Sequence, residues 1–243
     1  MKQAMIFAAG LGTRLKPLTD SMPKALVSVG GQPLLWHVVM KLKAAGFERI
    51  VVNVHHFAQQ IMDYLHANQN FGLDVLVSDE SSMLLETGGG IRKARQLFFP
   101  DEPVLIHNVD ILSNVDLAAL YAQAGRPDTD AVLLVSPRTT QRYLLFGSSG
   151  RLVGWTNTAT GELKSPYAQC EYTQMLAFSG IHVVMPSLLQ CMDSWPERFP
   201  IIDFYLNLCD RYAIRAEQKD DLRLLDVGKL DTLEQANLFI KTM

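Results

Sequence analysis

Two glycines separated by one residue, Gly10 and Gly12, close a short apolar run from Ala4 to Ala9. Arg14 and Lys24 follow soon after. Without side chains at the glycines, backbone N–H groups of Gly10, Leu11, Gly12 and Thr13 can close on phosphate oxygens. Arg14 adds a planar fork of donors suited to a bidentate grip, and Lys24 a mobile point charge. The stretch reads as a polyphosphate cradle. The alternative, a strand-to-loop turn with solvated basic residues, is disfavoured because apolar strand, glycines, Arg14 and Pro23-Lys24 occur together in one order. Further along, the apolar run from Glu102 ends in Asp110. Ligands of open α/β sheets lie beyond the carboxyl ends of the strands, and a lone carboxylate there calls for a cation. Helix capping is the other use for Asp110, but Ser113-Asn114-Val115-Asp116 already reads as a capping box. Asp226 again stands at a strand end, ahead of Val227-Gly228-Lys229.

Two glycine signals remain. Gly88, Gly89 and Gly90 open a helix although glycine is a poor helix former, so something gains from backbone exposed there, a flat base or a sugar, unless the helix start is merely flexible. Gly180 interrupts the strand at 175–184, which signals a close backbone approach or a bulge.

Several classes are set aside. A dinucleotide site wants a full G-x-G-x-x-G and an acid at the tip of the second strand. The chain has Arg14 and Leu15 after Gly12, and Val54-His55-His56 at that tip. No G-K-[ST] follows the glycines, which excludes a kinase-like P-loop. His55 and His56 point to opposite faces of a strand and read as sheet-edge residues. Cys170, Cys191 and Cys209 are widely spaced, which suggests neither a disulfide framework nor a zinc site. A net charge of −3 gives no footprint for nucleic acid or an anionic membrane. No signal region and no apolar run near ~20 residues is present, so a soluble cytoplasmic protein is expected.

The elements that must position these groups alternate along the chain. Strands are expected at 4–9, 49–54, 73–77, 102–110 and 130–135, with a helix opened by Pro33 and another at 58–69. A hairpin spans 142–155, a polar insertion 157–174, and a strand 175–184. Helices follow from Pro186 and over 200–212, then strands at 214–218 and 222–226 and a last helix. The 243 residues read as one α/β domain, 1–243.

The strings Ala8-Ala9-Gly10-Leu11-Gly12-Thr13-Arg14, Pro17-Leu18-Thr19 and Pro23-Lys24-Ala25-Leu26 resemble the signature of the sugar-1-phosphate nucleotidyltransferases. The resemblance implies a Rossmann-like, mixed, mainly parallel sheet flanked by helices with a small sugar-side subregion, and with it a nucleotide-binding part over about 1–135 and a sugar-binding part over about 136–243. It also implies Mg2+-dependent transfer of a nucleotidyl group from a nucleoside triphosphate to a sugar 1-phosphate. Carried over, Ala8 to Arg14 and Gly88, Gly89 and Gly90 contact the nucleotide. Lys24, Gly180 and Glu171 contact the sugar phosphate, and Asp110 and Asp226 hold the metal. Lys24, Arg14 and Asp110 then form the catalytic group. The chain departs from the family pattern at Val109 and Lys229, where glycine and threonine are usual, and at Tyr143-Leu144 and Thr156-Asn157, where Tyr-Gly and Glu-Lys are usual.

Within the family, Leu85 to Ile91 resembles most the members that uridylylate N-acetylmuramate 1-phosphate, with guanylyltransferases of mannose and heptose 1-phosphate also similar; the lean is to UTP. A non-catalytic nucleotide-sensing subunit is the competing class, and retention of Lys24 and both acids speaks against it. No appended hexapeptide-repeat helix is expected, and association with further copies of the chain is left open.

Overall fold

The computed structural model describes residues 1–242. In chain order the strands and helices are β1 (Gln3–Phe7), β2 (Ser28–Val29), β3 (Gln32–Pro33), α1 (Leu34–Ala44), β4 (Arg49–Val54), α2 (Ala58–Ala67), β5 (Asp74–Asp79), α3 (Glu86–Ala94), β6 (Val104–Asn108), β7 (Ile111–Ser113), α4 (Leu117–Ala122), β8 (Ala131–Ser136), β9 (Arg142–Phe146), β10 (Leu152–Asn157), β11 (Glu162–Lys164), β12 (Gln174–Val184), α5 (Pro186–Cys191), α6 (Ile201–Leu208), β13 (Ile214–Glu217), β14 (Leu224–Asp226) and α7 (Thr232–Lys241).

The main sheet runs β11-β10-β9-β12-β6-β1-β4-β5, with β8 on β12 and β13 on β8. Its heart is parallel: β1 lies between β4 and β6, and β5 flanks β4. These strands are continuous apolar runs because helices cover both faces. Along β1, Ala4 and Ile6 pack into one cluster with α1, α2, α4 and α7. Met5, between them, packs into the other with α3, α5 and α6. The alternation follows from the two-residue period of a strand. In α1, Leu34, Leu35, Val38, Val39 and Leu42 fall on one face at helical spacing and are all buried. The helix stops at Ala45, and Gly46 turns the chain at φ +78°.

The eleven residues of β12 splice the two halves of the sheet. Ile181–Val184 run antiparallel to β6, and Gln174–Leu176 run antiparallel to β9. The result is the expected mixed, Rossmann-like sheet flanked by helices, with an antiparallel hairpin region at one edge. Three local expectations change. The strand expected at 102–110 ends at Asn108, and Val109-Asp110 form a turn into β7. The helix start is capped by Asp116, whose side chain accepts the Ala119 amide at 2.9 Å. Ser113 lies in β7, and Asn114 instead ties residues 221–223 to that strand, donating to the Asp221 carbonyl at 2.9 Å and accepting the Arg223 amide at 2.8 Å. The polar insertion at 157–174 contains β11, paired with β10.

Candidate active site

Beyond the carboxyl ends of β1, β4 and β6 lies a cavity of about 270 Å³. The turn after β1 forms one wall with Ala8, Ala9 and Gly10. Leu84, Glu86 and Thr87 form the facing wall, and Lys24, Asp110 and the buried Asn53 and Glu80 lie between.

Gly12 shapes the turn. It sits at φ +64°, and a Cβ there would lie 2.8 Å from Thr19 Cγ2 and 3.1 Å from Lys24 Cβ. Its carbonyl accepts both the Leu15 amide and the Thr19 hydroxyl at 2.8 Å. Glycine is therefore required twice, by the left-handed backbone and by the close approach. At Gly10 a Cβ would meet no atom within 4 Å, so the space beside it is open. Among the described residues, the amides of Gly10, Leu11 and Gly12 have no acceptor in the chain. Those of Ala8 and Ala9 are taken: both donate to Asn53 Oδ1, at 2.7 and 3.3 Å. The donors left for an anion thus begin at Gly10, and Ala8 and Ala9 serve as wall rather than as phosphate donors.

Lys24, nearly buried, pairs with Asp110. The late acid arrives through β14, which runs antiparallel to β7 with Asp226 opposite Ile111. The Val227 amide donates to the Asp110 carbonyl at 2.8 Å, so the two acids sit on adjoining chain segments. Burial, and next the Asp110 charge, push the Asp226 carboxyl above its ordinary value; Lys24, Arg14 and Arg138 pull the other way. Asp226 Oδ1 is buried with no hydrogen-bond partner. Arg14 reaches the same place. A Cβ on Gly228 would lie 2.7 Å from Asp226 Oδ1 and 2.9 Å from Arg14 Nη2. The residue after Val227 must therefore be small for the guanidinium to approach the acid.

Two carboxylates crowded in partial burial, one with an orphaned oxygen, fit a hard divalent cation. Among the described residues no cluster of three or more His, Cys, Asp or Glu side chains could form a closed metal cage. An ion held here would complete its shell from water and phosphate oxygens, as Mg2+ commonly does.

Other expected contacts move. Gly88, Gly89 and Gly90 are buried and do not line the cavity. The Gly88 and Gly89 amides both donate to the Phe199 carbonyl, at 2.8 and 3.2 Å. A Cβ at Gly88 would overlap the Phe199 ring, and one at Gly89 would overlap the Glu197 carbonyl oxygen. The glycines bring α3 against the segment that leads into α6, so within the chain the triplet serves helix packing. Gly180, at φ +74°, sits where the pairing of β12 with β8 slips between Phe178 and His182. A Cβ there would lie 2.6 Å from Asn108 Nδ2. Within the chain, what approaches Gly180 closely is the Asn108 side chain. Glu171 is exposed in the loop before β12 and lies outside the cavity. The His55 ring donates from Nδ1 to the Glu80 carbonyl oxygen, 2.7 Å away, the sheet-edge role expected of it.

Sequence reasoning missed Asn53, Glu80, Asn108 and Arg138. Asn53 had a signal, a lone amide inside the apolar run Ile50 to Val54. Arg138 had none; the segment after β8 brings its charge near Asp226, and its guanidinium donates to the Phe178 carbonyl at 2.8 Å.

Free amides and two cations facing paired carboxylates, at the carboxyl edge of a Rossmann-like sheet, define an enzyme that handles a nucleoside polyphosphate. The chain belongs to the nucleotidyl transferase family, whose model matches residues 3–148. It is 34% identical over 194 residues to an N-acetylmuramate alpha-1-phosphate uridylyltransferase of Caulobacter vibrioides, a match covering 77% of this chain and 76% of that protein. A protein of the same description from Neisseria meningitidis is 42% identical over 124 residues, 51% of this chain and 53% of that one. Among solved structures, a putative glucose-1-phosphate thymidylyltransferase of Bacillus anthracis shares the fold with TM-score 0.83 at 16% identity, covering 100% of this chain and 96% of that one. The chain is an enzyme of the sugar-1-phosphate nucleotidyltransferase class.

Proposed function

We propose that the chain transfers a uridylyl group from UTP to the phosphate of N-acetylmuramate 1-phosphate and releases pyrophosphate. The observation that carries the chemistry is the meeting of Asp110 and Asp226, from distant parts of the sequence, against Lys24 and Arg14. The choice of substrates is supported by the printed descriptions of the Caulobacter and Neisseria relatives.

Asp110 and Asp226 would hold Mg2+, which when bound supplies positive charge to phosphate oxygens. Arg14 and the amides from Gly10 to Thr13 grip the β- and γ-phosphates, so that they leave together as pyrophosphate. Lys24, desolvated beside Asp110, neutralises charge that builds on the reacting phosphates. A phosphate oxygen of the sugar 1-phosphate attacks the α-phosphorus in line, and the bond from that phosphorus to the bridging oxygen breaks. The attacking oxygen is already ionised, so no general base is required.

The test measures pyrophosphate released from each of four nucleoside triphosphates against a panel of sugar 1-phosphates. Release with UTP and N-acetylmuramate 1-phosphate well above every other pair is expected. A preference for GTP with mannose 1-phosphate would replace this reading with that of the guanylyltransferases, one of which, from Danio rerio, is 31% identical over 62% of the chain.

A further inference from the structure

We propose that Asn53 is a positioning residue that holds the two walls of the nucleotide cleft in register; the inference rests on the reading of that cleft as the nucleoside triphosphate site. Asn53 and Glu80 are 1% and 0% exposed. The Asn53 amide can face only one way. Its Oδ1 accepts from Ala8 and Ala9, the start of the phosphate turn, and its Nδ2 donates to Glu80 Oε1 at 2.7 Å. Glu80 Oε2 accepts the Leu85 amide at 3.2 Å, which fixes the segment carrying Leu84, Glu86 and Thr87. One side chain from β4 thus links the turn after β1 to the opposite wall through a buried carboxylate.

The Glu80 main chain is held as well. The Glu80 amide donates to the Val54 carbonyl at 2.7 Å, and the His55 ring bonds the Glu80 carbonyl. Among the described residues Glu80 has no cationic partner, and its two carboxyl oxygens are met by neutral donors alone. The third glycine of α3 follows from the same pair. A Cβ at Gly90 would lie 2.8 Å from Glu80 Oε1 and 3.3 Å from Asn53 Nδ2. Gly90 is therefore the room in which the pair sits, whereas Gly88 and Gly89 face the chain at Glu197 to Phe199.

Because only polarity distinguishes the two ends of the Asn53–Glu80 bond, reversing it tests the assignment. In N53D the acceptor for Ala8 and Ala9 survives, but an oxygen replaces the donor that faced Glu80, and two carboxylates oppose each other. In the double variant N53D/E80Q the new amide nitrogen donates to the new carboxylate, and its oxygen still accepts from Leu85. Every bond is remade. A misplacement of about 1 Å costs on the order of 100-fold. N53D is therefore expected to raise the KM for the nucleoside triphosphate about 10- to 100-fold, with the KM for the sugar 1-phosphate held within about 3-fold. The double variant should return the former to within about 3-fold of the wild type.

Assays run well below each variant's melting temperature, so a loss of folded protein does not enter. If N53D does not stay folded, G90A presses on the same pair from the other side and should show the same split between the two KM values. An unchanged nucleotide KM in N53D, or in G90A where that variant is used, overturns the proposal. So does a double variant no better than N53D, which would assign Glu80 to the ligand itself. A wild type that turns over none of the four nucleoside triphosphates would overturn the cleft assignment and this inference with it; an active wild type without rescue overturns the inference alone.

Discussion

Substituting Gly89 by alanine separates two uses of the glycine triplet by the sign of the stability change. If the glycines expose backbone to a nucleotide, a methyl group costs the protein nothing, and alanine's better helix propensity adds about 1 kcal/mol of stability. Nucleotide binding would then weaken. In the structure the methyl has nowhere to go: it would overlap the Glu197 carbonyl oxygen and lie 3.1 Å from Leu85 Cβ and 3.3 Å from Arg198 Cα. Neither the carbonyl nor the Cα can rotate aside as a side-chain tip does. Overpacking costs about 1–3 kcal/mol, and overlap with backbone atoms puts this case in the upper half of that range, about 2–3 kcal/mol. The Gly89 amide bond to Phe199, at 3.2 Å, is strained as the helix backs away, which removes up to about 1 kcal/mol more. Set against the propensity gain, the net is a loss of roughly 1–3 kcal/mol. For a chain of this length each kcal/mol moves Tm by about 2–4 °C, so G89A should melt some 2–12 °C lower. Its KM for the nucleotide, measured well below Tm, should stay within about 2-fold. A variant that melts at or above the wild-type temperature while its nucleotide KM rises would refute the packing assignment.

Asp226→Asn should lower the rate of pyrophosphate release by at least about 100-fold. It should also raise Tm, because burial and Asp110 both disfavour the charged carboxylate and the amide relieves this; a lowered Tm would contradict the stated strain. Chelation with EDTA should stop turnover and Mg2+ restore it. Added Mg2+ should raise the Tm of the wild type but not of a D110N/D226N variant, and an equal rise in both would move the metal elsewhere. Burial holds His107 down to about 4 and His182 down to about 3, from 6.5, so both stay neutral in the fold and gain protons on unfolding below 6.5. Their stabilisation is complete above 6.5 and is lost as pH falls toward those values, by roughly 1.4 kcal/mol per pH unit for each histidine. Urea unfolding between pH 7 and 5 measures the slope, and His182→Phe should reduce it by one proton; an unchanged slope would remove His182 from the account.

Local chemistry made the cradle legible. Gly12 needs a left-handed backbone, Arg14 and Lys24 follow at fixed spacing, and Asp110 and Asp226 each end an apolar run, so the roles proposed for them could be read one residue at a time. Strand and helix identities were equally legible, since β4 is a short, nearly continuous apolar run of the kind buried on both faces of a sheet and α1 carries the 3.6-residue period of a helix packed on a core. Whether an exposed-looking glycine faces a ligand or another chain segment is a different kind of fact. It depends on what lies within a few ångström across the fold, and residues 197–199 stand more than a hundred positions from Gly88 in the sequence. The same holds for the link from Asn53 to Glu80 and for Arg138 beside Asp226. The sequence by itself determined which side chains could bind phosphate and metal and which segments would form the sheet. Only the tertiary structure decided which of them meet, because hydrogen bonds and close contacts form between atoms adjacent in space, and the order of residues along the chain does not encode that adjacency beyond a turn or two of backbone.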